Sequence, residues 1–569
     1  MSISSASVPP RRHAWQALSG DAVPLLFVAA CWLLMILLAD PRGDFPLNDD
    51  WVYALAVKSV LETGSYQFPS PSSANVGPQI YWGALFCLPF GFSFTTLRLS
   101  TSVLGLGGAV VFYFLVRAVR GTRRTAVLCA LALAANPVYF SLSNTFMTDV
   151  PFLAVSLVAM LLLFLGLRRD SLAHVTSGML VALAAILIRQ LGIVLIVGYV
   201  VAALVKEGWQ VRRVARGVAL VALGLAVHFG YQLWLVRTGR VPVATLHSDA
   251  HTLIPTLQLV PKIKALVAAL LYTGFFVAPF VALLWFRPRT AAVVSRSTLL
   301  IYVASALLLF FALRFVDALL PAAGNVLIRS GLGPLLLVDA YVLALNQPAI
   351  PFLARAGWAL VSLLAIASIL TAGRQLARPV AQLANSVLRR RAAPQYWELA
   401  FFAAIVLSYL SILILLSGKV PIFDRYYLPF LPLVVLMICS AMPEPVTNPL
   451  LAGRLAPVVL VFLLAAFSVI ATHDFFAWSR ARWTALRDLI AEGVPPQKID
   501  GGYEFNGWYL SHLQPPNDSW SWSVVDDEYV IASGGLPNYT ELRRYSFRHW
   551  LFGRPSYVLT LRKINSQSR

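Results

Sequence analysis

A helix that crosses a bilayer needs about 20 mostly apolar residues, and this chain holds about thirteen runs near that length. They lie near 21–39, 97–116, 126–140, 150–167, 175–190, 191–205, 217–236, 265–286, 298–315, 357–373, 398–417, 426–442 and 455–473. In lipid only helices and closed barrels satisfy every backbone N–H and C=O, and apolar runs this long and unalternating are helical. The expected fold class is therefore a polytopic α-helical membrane protein with about thirteen transmembrane helices. Composition agrees. Of 569 residues, 59% are hydrophobic and only 12% charged, where a soluble domain carries about 25% charged residues. That excludes an ordinary soluble enzyme, and it excludes disorder, which needs the opposite bias.

The formal charge of +20 would suggest nucleic acid in a soluble protein. Here its distribution is topogenic. Arg11 and Arg12 precede the first run, and Arg117, Arg120, Arg123 and Arg124 follow the second. Arg168 and Arg169 follow the fourth, and Lys206, Arg212, Arg213 and Arg216 the sixth. Later clusters at Arg287, Arg289 and Arg296, at Arg374 to Arg391, and at Arg454 keep the same alternation. The N-terminal tail 1–20 is expected in the cytoplasm, with the basic surplus meeting anionic lipid. Nucleic acid is not an expected partner. The first run is long and lacks a small-x-small cleavage pattern at Ala39-Asp40-Pro41, so it reads as a span and not a cleaved leader. Cys31, Cys87, Cys129 and Cys439 all fall in apolar stretches with no metal-ligand spacing and read as packing residues.

From Asp474 onward the composition changes to polar, aromatic and turn residues, including Gly501-Gly502-Tyr503, Asp526-Asp527-Glu528 and Gly534-Gly535. The expected organisation is a transmembrane domain over 21–473 and a small extracytoplasmic α/β domain over 474–569. Short β-type runs at Glu528–Ser533 and Ser556–Leu561 would supply its strands.

Acids at a membrane boundary are rare and usually functional. Asp40, Asp44, Asp49, Asp50 and Glu62 crowd into the first outside loop, 40–96, which is far longer than a connection requires. Its core reads Asn48-Asp49-Asp50-Trp51-Val52-Tyr53-Ala54. Asn48 is expected to cap a helix over 48–61, with Asp49 and Asp50 in its first turn. A carboxylate held there can also act as a general base. Asp149 opens a later span, and its own loop offers no Lys or Arg to pair with it. On the same face lie Arg189-Gln190, Lys419 and Asp424-Arg425-Tyr426-Tyr427. Each cation reads either as a headgroup contact or local ion pair, Asp424–Arg425 included, or as a ligand for a lipid phosphate. His247-x-Asp249-x-His251 has strand spacing for a metal, but a solvated loop is the preferred reading. His228, inside a span, reads as a hydrogen-bonded packing residue.

These elements together resemble the GT-C glycosyltransferases, in the bacterial branch related to protein O-mannosyltransferases (glycosyltransferase family 39-like). The resemblance rests on Asp49-Asp50-Trp51-Val52-Tyr53-Ala54, Thr148-Asp149-Val150-Pro151, Arg189-Gln190-Leu191-Gly192 and Asp424-Arg425-Tyr426-Tyr427-Leu428-Pro429, in that order. The stretch Ile499 to Tyr509 is also similar to bacterial members, without a role attached. The likeness covers 20–210 best. Where many members carry His-Pro-Pro in the first loop, this chain has Val76-Gly77-Pro78-Gln79.

The resemblance implies an inverting transfer from a polyprenyl-phosphate sugar to an acceptor hydroxyl on the outer face of a bacterial inner membrane. The acceptor would be a cell-envelope glycan, a glycolipid such as lipopolysaccharide, or a protein. It implies Asp49 as general base, with Asp50 and Asp149 orienting it or holding the acceptor. Arg189, Lys419 and Arg425 would face the donor phosphate, and Trp51, Tyr53, Tyr81 and Tyr426 would line the substrate groove. No cofactor is implied; the acids would permit a divalent cation, but no metal ligand set is assigned. Two alternatives stand beside it: a secondary transporter, and an O-antigen ligase or polymerase acting on polyprenyl lipids.

Overall fold

The computed structural model describes residues 12–68, 74–240, 258–285, 296–347, 349–442, 444, 450–511, 524, 526–551 and 555–564. His247, Asp249 and His251 lie outside the described residues. All thirteen apolar runs fall on helices. Ten are long and apolar enough to cross a membrane. Leu172–Ile188 and Leu300–Phe315 are shorter apolar helices. The run at 126–140 is a pair, Arg123–Ala134 and Pro137–Ser143, bent by 64°. The break has a local cause. Pro137 supplies no N–H, and the Asn136 side chain accepts from the Val138 and Tyr139 N–H groups, capping a new helix.

Helix pairing in lipid depends on close backbone approach rather than on the hydrophobic effect. Gly274, in the helix Leu259–Trp285, illustrates it: a Cβ there would run into the Ala365 carbonyl of the helix Phe352–Leu388. Cys87, Cys129 and Cys439 are buried, as their apolar surroundings predict. His228 hydrogen-bonds the Asn75 side chain at 3.1 Å, the satisfied packing role expected of it.

Outside the spans, the first loop forms two helices, Asp50–Thr63 and Gly77–Phe90. The last span is part of a 41-residue helix, Leu451–Ala491, about 60 Å long at 1.5 Å per residue. That is about twice the hydrocarbon thickness, so the helix leaves the membrane and runs on unbroken through residue 474. The change in composition at that residue falls inside a helix and not at a break. A four-stranded sheet packs against the outer part. Its strands are β1 (Ile499–Asp500), β2 (Tyr529–Ala532), β3 (Tyr539–Arg548) and β4 (Pro555–Lys563). The spatial order is β1-β2-β4-β3; β1 runs parallel to β2, and the other pairs are antiparallel.

One core joins this C-terminal module to the loops above the membrane. Phe45 and Leu47 of the first loop and Leu337 of the 316–347 segment pack with Phe476, Trp483, Leu486, Phe505 and Val558. The short helix Tyr503–Leu510 then lies against Asp50–Thr63. The Trp508 ring stacks on Phe92 and meets Phe94 edge-on. Gly502 permits this approach. Its φ is +87°, and a Cβ would strike the Leu336 carbonyl.

Candidate active site

Asp49, and not Asn48, holds the N-cap position of the helix Asp50–Thr63. Asn48 takes a left-handed φ of 55°, and its backbone N–H reaches Glu504 at 3.1 Å. The expected cap is thus displaced by one residue. Asp49 makes no side-chain capping bond, which leaves its carboxylate for other partners. Arg425 Nη2 approaches Oδ2 at 3.2 Å, and the Tyr503 hydroxyl donates to Oδ1 at 2.9 Å. The Asp49 side chain keeps 29% of its surface exposed, while that of Arg425 keeps 7%.

Asp50 has a different environment. It is fully buried. Its Oδ1 accepts from the Leu47 N–H at 2.5 Å, and its Oδ2 from the Phe146 N–H at 3.4 Å. It ties the first loop to the loop before the helix Asp149–Arg169 and has no open path to an acceptor. Burial pushes its carboxyl up to about 7, against the opposing pull of Arg98 and the two N–H bonds. The raised value means the folded protein holds this proton after the unfolded chain has lost it. Stability assigned to Asp50 is therefore full below pH 4 and falls as pH rises toward 7, by on the order of 4 kcal/mol. Asp50→Asn should remove that slope. Thermal unfolding in detergent from pH 4 to 8 measures it as the difference from wild type. Asn retains one acceptor oxygen, so transfer by this variant should stay within about threefold of wild type.

Asp149 opens its helix at the same membrane face and is buried. The partner its own loop lacks comes from Arg189, whose Nη1 lies 2.5 Å from Oδ1. Arg189 is extended (φ −142°, ψ 132°) in the break between the helix Leu172–Ile188 and the turn Gln190–Gly192. A break there turns the guanidinium away from lipid toward the bundle. Its Cζ lies 4.9 Å from the Tyr426 ring centroid, and that of Arg425 lies 5.6 Å from the same ring. Tyr53 is buried within electrostatic reach of Asp49, Arg425, Arg189 and Asp149. Two carboxylates and two guanidiniums from four parts of the chain thus meet in one cluster around the Tyr426 ring.

Among the described residues, Asp149 Oδ2 and Arg425 Nε and Nη1 are buried without a hydrogen-bond partner. Buried polar atoms normally find partners. A ligand with hydroxyl and phosphate oxygens would satisfy both kinds of atom, acceptor and donor.

The expected local pair Asp424–Arg425 does not form. Asp424 is fully buried and accepts N–H bonds from Val326, Leu327 and Arg425 itself. It fixes the turn Asp424–Tyr427 to the 316–347 segment and leaves the Arg425 side chain to reach Asp49. Arg329 pairs with Asp317 at 3.0 Å.

Lys419 lies on the wall of a cavity of about 760 Å³, which Lys264, Leu313, Val316, Phe423 and Tyr427 also line. Phe423 connects the two regions, since Arg425 Cζ is 5.4 Å from its ring centroid. Lys264 belongs to the helix Leu259–Trp285 and was not singled out in the sequence. Trp51 is buried edge-on against Tyr503, so it packs against the C-terminal module. Tyr81 is half exposed and meets Tyr66; Tyr66 also neighbours Trp234 and Arg240. Among the described residues no group of three or more His, Cys, Asp or Glu could hold a metal ion.

Residues 76–233 match the family model described as dolichyl-phosphate-mannose-protein mannosyltransferase. This is the family that the sequence elements resemble, and the matched span includes Asp149 and Arg189. No curated protein matches the chain. Solved structures similar to it include ArnT from Cupriavidus metallidurans in the apo state, at 17% identity and a TM-score of 0.36, covering 96% of this chain and 98% of that one. ArnT bound to undecaprenyl phosphate is similar at 17% identity and a TM-score of 0.38, over 95% and 98% of the two chains. The archaeal oligosaccharyltransferase AglB from Archaeoglobus fulgidus, in complex with an inhibitory peptide and a dolichol-phosphate, follows at 15% identity and a TM-score of 0.36, over 82% and 59%.

Proposed function

We propose that this protein is an inverting glycosyltransferase. It moves a sugar from a polyprenyl-phosphate donor to an acceptor hydroxyl at the outer face of the bacterial inner membrane. The N-terminus lies in the cytoplasm, and the C-terminal module, with residues 474–569, lies in the periplasm. The observation that carries the reading is the boundary cluster of two acids and two arginines, with unpaired buried atoms on Asp149 and Arg425. The family match over 76–233 supports it independently.

In this reading the acceptor oxygen attacks the anomeric carbon as Asp49 takes its proton. The bond from that carbon to the phosphate oxygen breaks on the opposite side, and its electron pair leaves on polyprenyl phosphate. The leaving group is already a stable anion, so it needs positive charge more than an acid. Arg425 and Arg189 supply that charge beside Asp49 and Asp149. Lys419 and Lys264 supply it along the adjoining cavity, whose apolar walls suit the first units of a prenyl chain. Asp149 Oδ2 is placed to accept from a sugar hydroxyl. The acceptor is a glycan, a glycolipid or a protein.

Transfer in proteoliposomes from radiolabelled undecaprenyl-phosphate sugars, with envelope lipid or protein extract as acceptor, tests the reading. Label moving to acceptor with release of undecaprenyl phosphate is expected. Solute flux with no donor consumed would replace it with a transporter.

A further inference from the structure

We infer that Tyr503, delivered by the C-terminal module, is a positioning residue that holds the Asp49 carboxylate in its working orientation. The inference rests on the reading of Asp49 as base. A residue at an N-cap usually fixes its own side chain by accepting a backbone N–H. Asp49 makes no such bond. Its two oxygens are held from elsewhere, Oδ2 by Arg425 at 3.2 Å and Oδ1 by the Tyr503 hydroxyl at 2.9 Å. A carboxylate gripped at one oxygen rotates about χ2; gripped at both, its plane is fixed. Arg425 comes from the turn before a late span and Tyr503 from a module beyond the last one, so neither follows Asp49 automatically.

The hydroxyl is not needed to dock its own helix. Glu504 bonds Arg482 at 2.8 Å and the Asn48 N–H at 3.1 Å. Asn506 bonds Asp500 and the Gly501 N–H. Trp508 packs on Phe92 and Phe94, and the Tyr503 ring itself meets Trp51. What the hydroxyl adds beyond this is a donor to Asp49. The groups facing that carboxylate or its partners are Arg425, Tyr53 and Tyr503, with Asp149, Arg189, Tyr426 and Glu504 around them.

Tyr503→Phe tests this because it keeps the ring and removes only the donor. The full-length variant is compared with wild type and Asp49→Asn in the same proteoliposomes, with undecaprenyl-phosphate sugars as donor. We expect kcat to fall about tenfold, with the donor KM within about twofold. Trypsin resistance of the C-terminal module should be unchanged, and Tyr503→Leu should be no better than Tyr503→Phe. An unchanged kcat in Tyr503→Phe, with Asp49→Asn inactive, overturns the inference alone. A loss explained by a trypsin-sensitive module also overturns it, because the role is then structural. Full transfer by Asp49→Asn overturns the base reading and this inference with it.

Discussion

Asp49→Asn should lower sugar transfer by about 10³-fold and leave the protein folded in the membrane. General base catalysis by a positioned carboxylate contributes about 10²–10⁴-fold. The amide keeps the shape of the side chain but has no proton-accepting charge. The fold should tolerate it because Asp49 keeps 29% of its side chain exposed and caps nothing. Its charge pairing with Arg425 is lost, but Arg425 is also placed by its backbone, where its N–H bonds Asp424 at 2.8 Å. Thermal unfolding in detergent should therefore move by only a few degrees. The contrast with Asp50 decides the assignment. Two adjacent carboxylates differ in that one is partly exposed and the other is fully buried. If Asp50→Asn loses transfer while Asp49→Asn retains it, the two roles are exchanged. Activity is read as initial rate at saturating donor, so that a binding defect is not mistaken for a chemical one.

Much of this arrangement was legible in the sequence because lipid enforces it. The apolar runs could only be helices, and all thirteen fall on helices. What the runs could not reveal is where a helix breaks. Pro137 lies inside one apolar stretch, and the cap from Asn136 that completes the bend is a local polar detail within it. The three candidate acids, Asp49, Asp50 and Asp149, stood out for a related reason, since charge at a membrane boundary is scarce. Their partners did not, because pairing is set by tertiary approach. Asp149 looked unpaired within its loop, yet Arg189 reaches it from 40 residues away. Asp424 and Arg425 looked like a pair because they are adjacent, but their side chains point to different tasks. Tyr503 lay in the Ile499 to Tyr509 stretch that resembled bacterial members without a role. Its signal was present, but only the packing of one helix on another brings its hydroxyl to Asp49. The packing of Trp51 against Tyr503 was hidden for the same reason, since only the tertiary fold brings the two rings together.

Glu504→Ala should cost more stability than any change at the edge of the acid–arginine cluster, although Glu504 touches neither acid. Its carboxylate meets the Arg482 guanidinium at 2.8 Å, with the two side chains 0% and 1% exposed. Its other oxygen accepts the Asn48 N–H, one residue before Asp49. Removing one member of a buried pair leaves an uncompensated charge, which costs about 3–5 kcal/mol. Arg482 also donates to the Gly501 carbonyl, but those bonds do not neutralise it. The variant should release the helix Tyr503–Leu510 from the first loop, and with it the Asp49 contact. Transfer should fall by about 10²-fold or more, and trypsin should reach the C-terminal module. Replacing both partners, as in Glu504→Leu with Arg482→Met, removes the stranded charge and should restore most of the protease resistance. It should restore less of the activity, because Asn48 still lacks its acceptor and the loop that carries Asp49 is held less firmly. A single variant that stays protease-resistant and fully active would show that this buried pair does not hold the module against the catalytic loop. Recovery of resistance without recovery of rate would show that docking and catalysis depend on the same few contacts for different reasons.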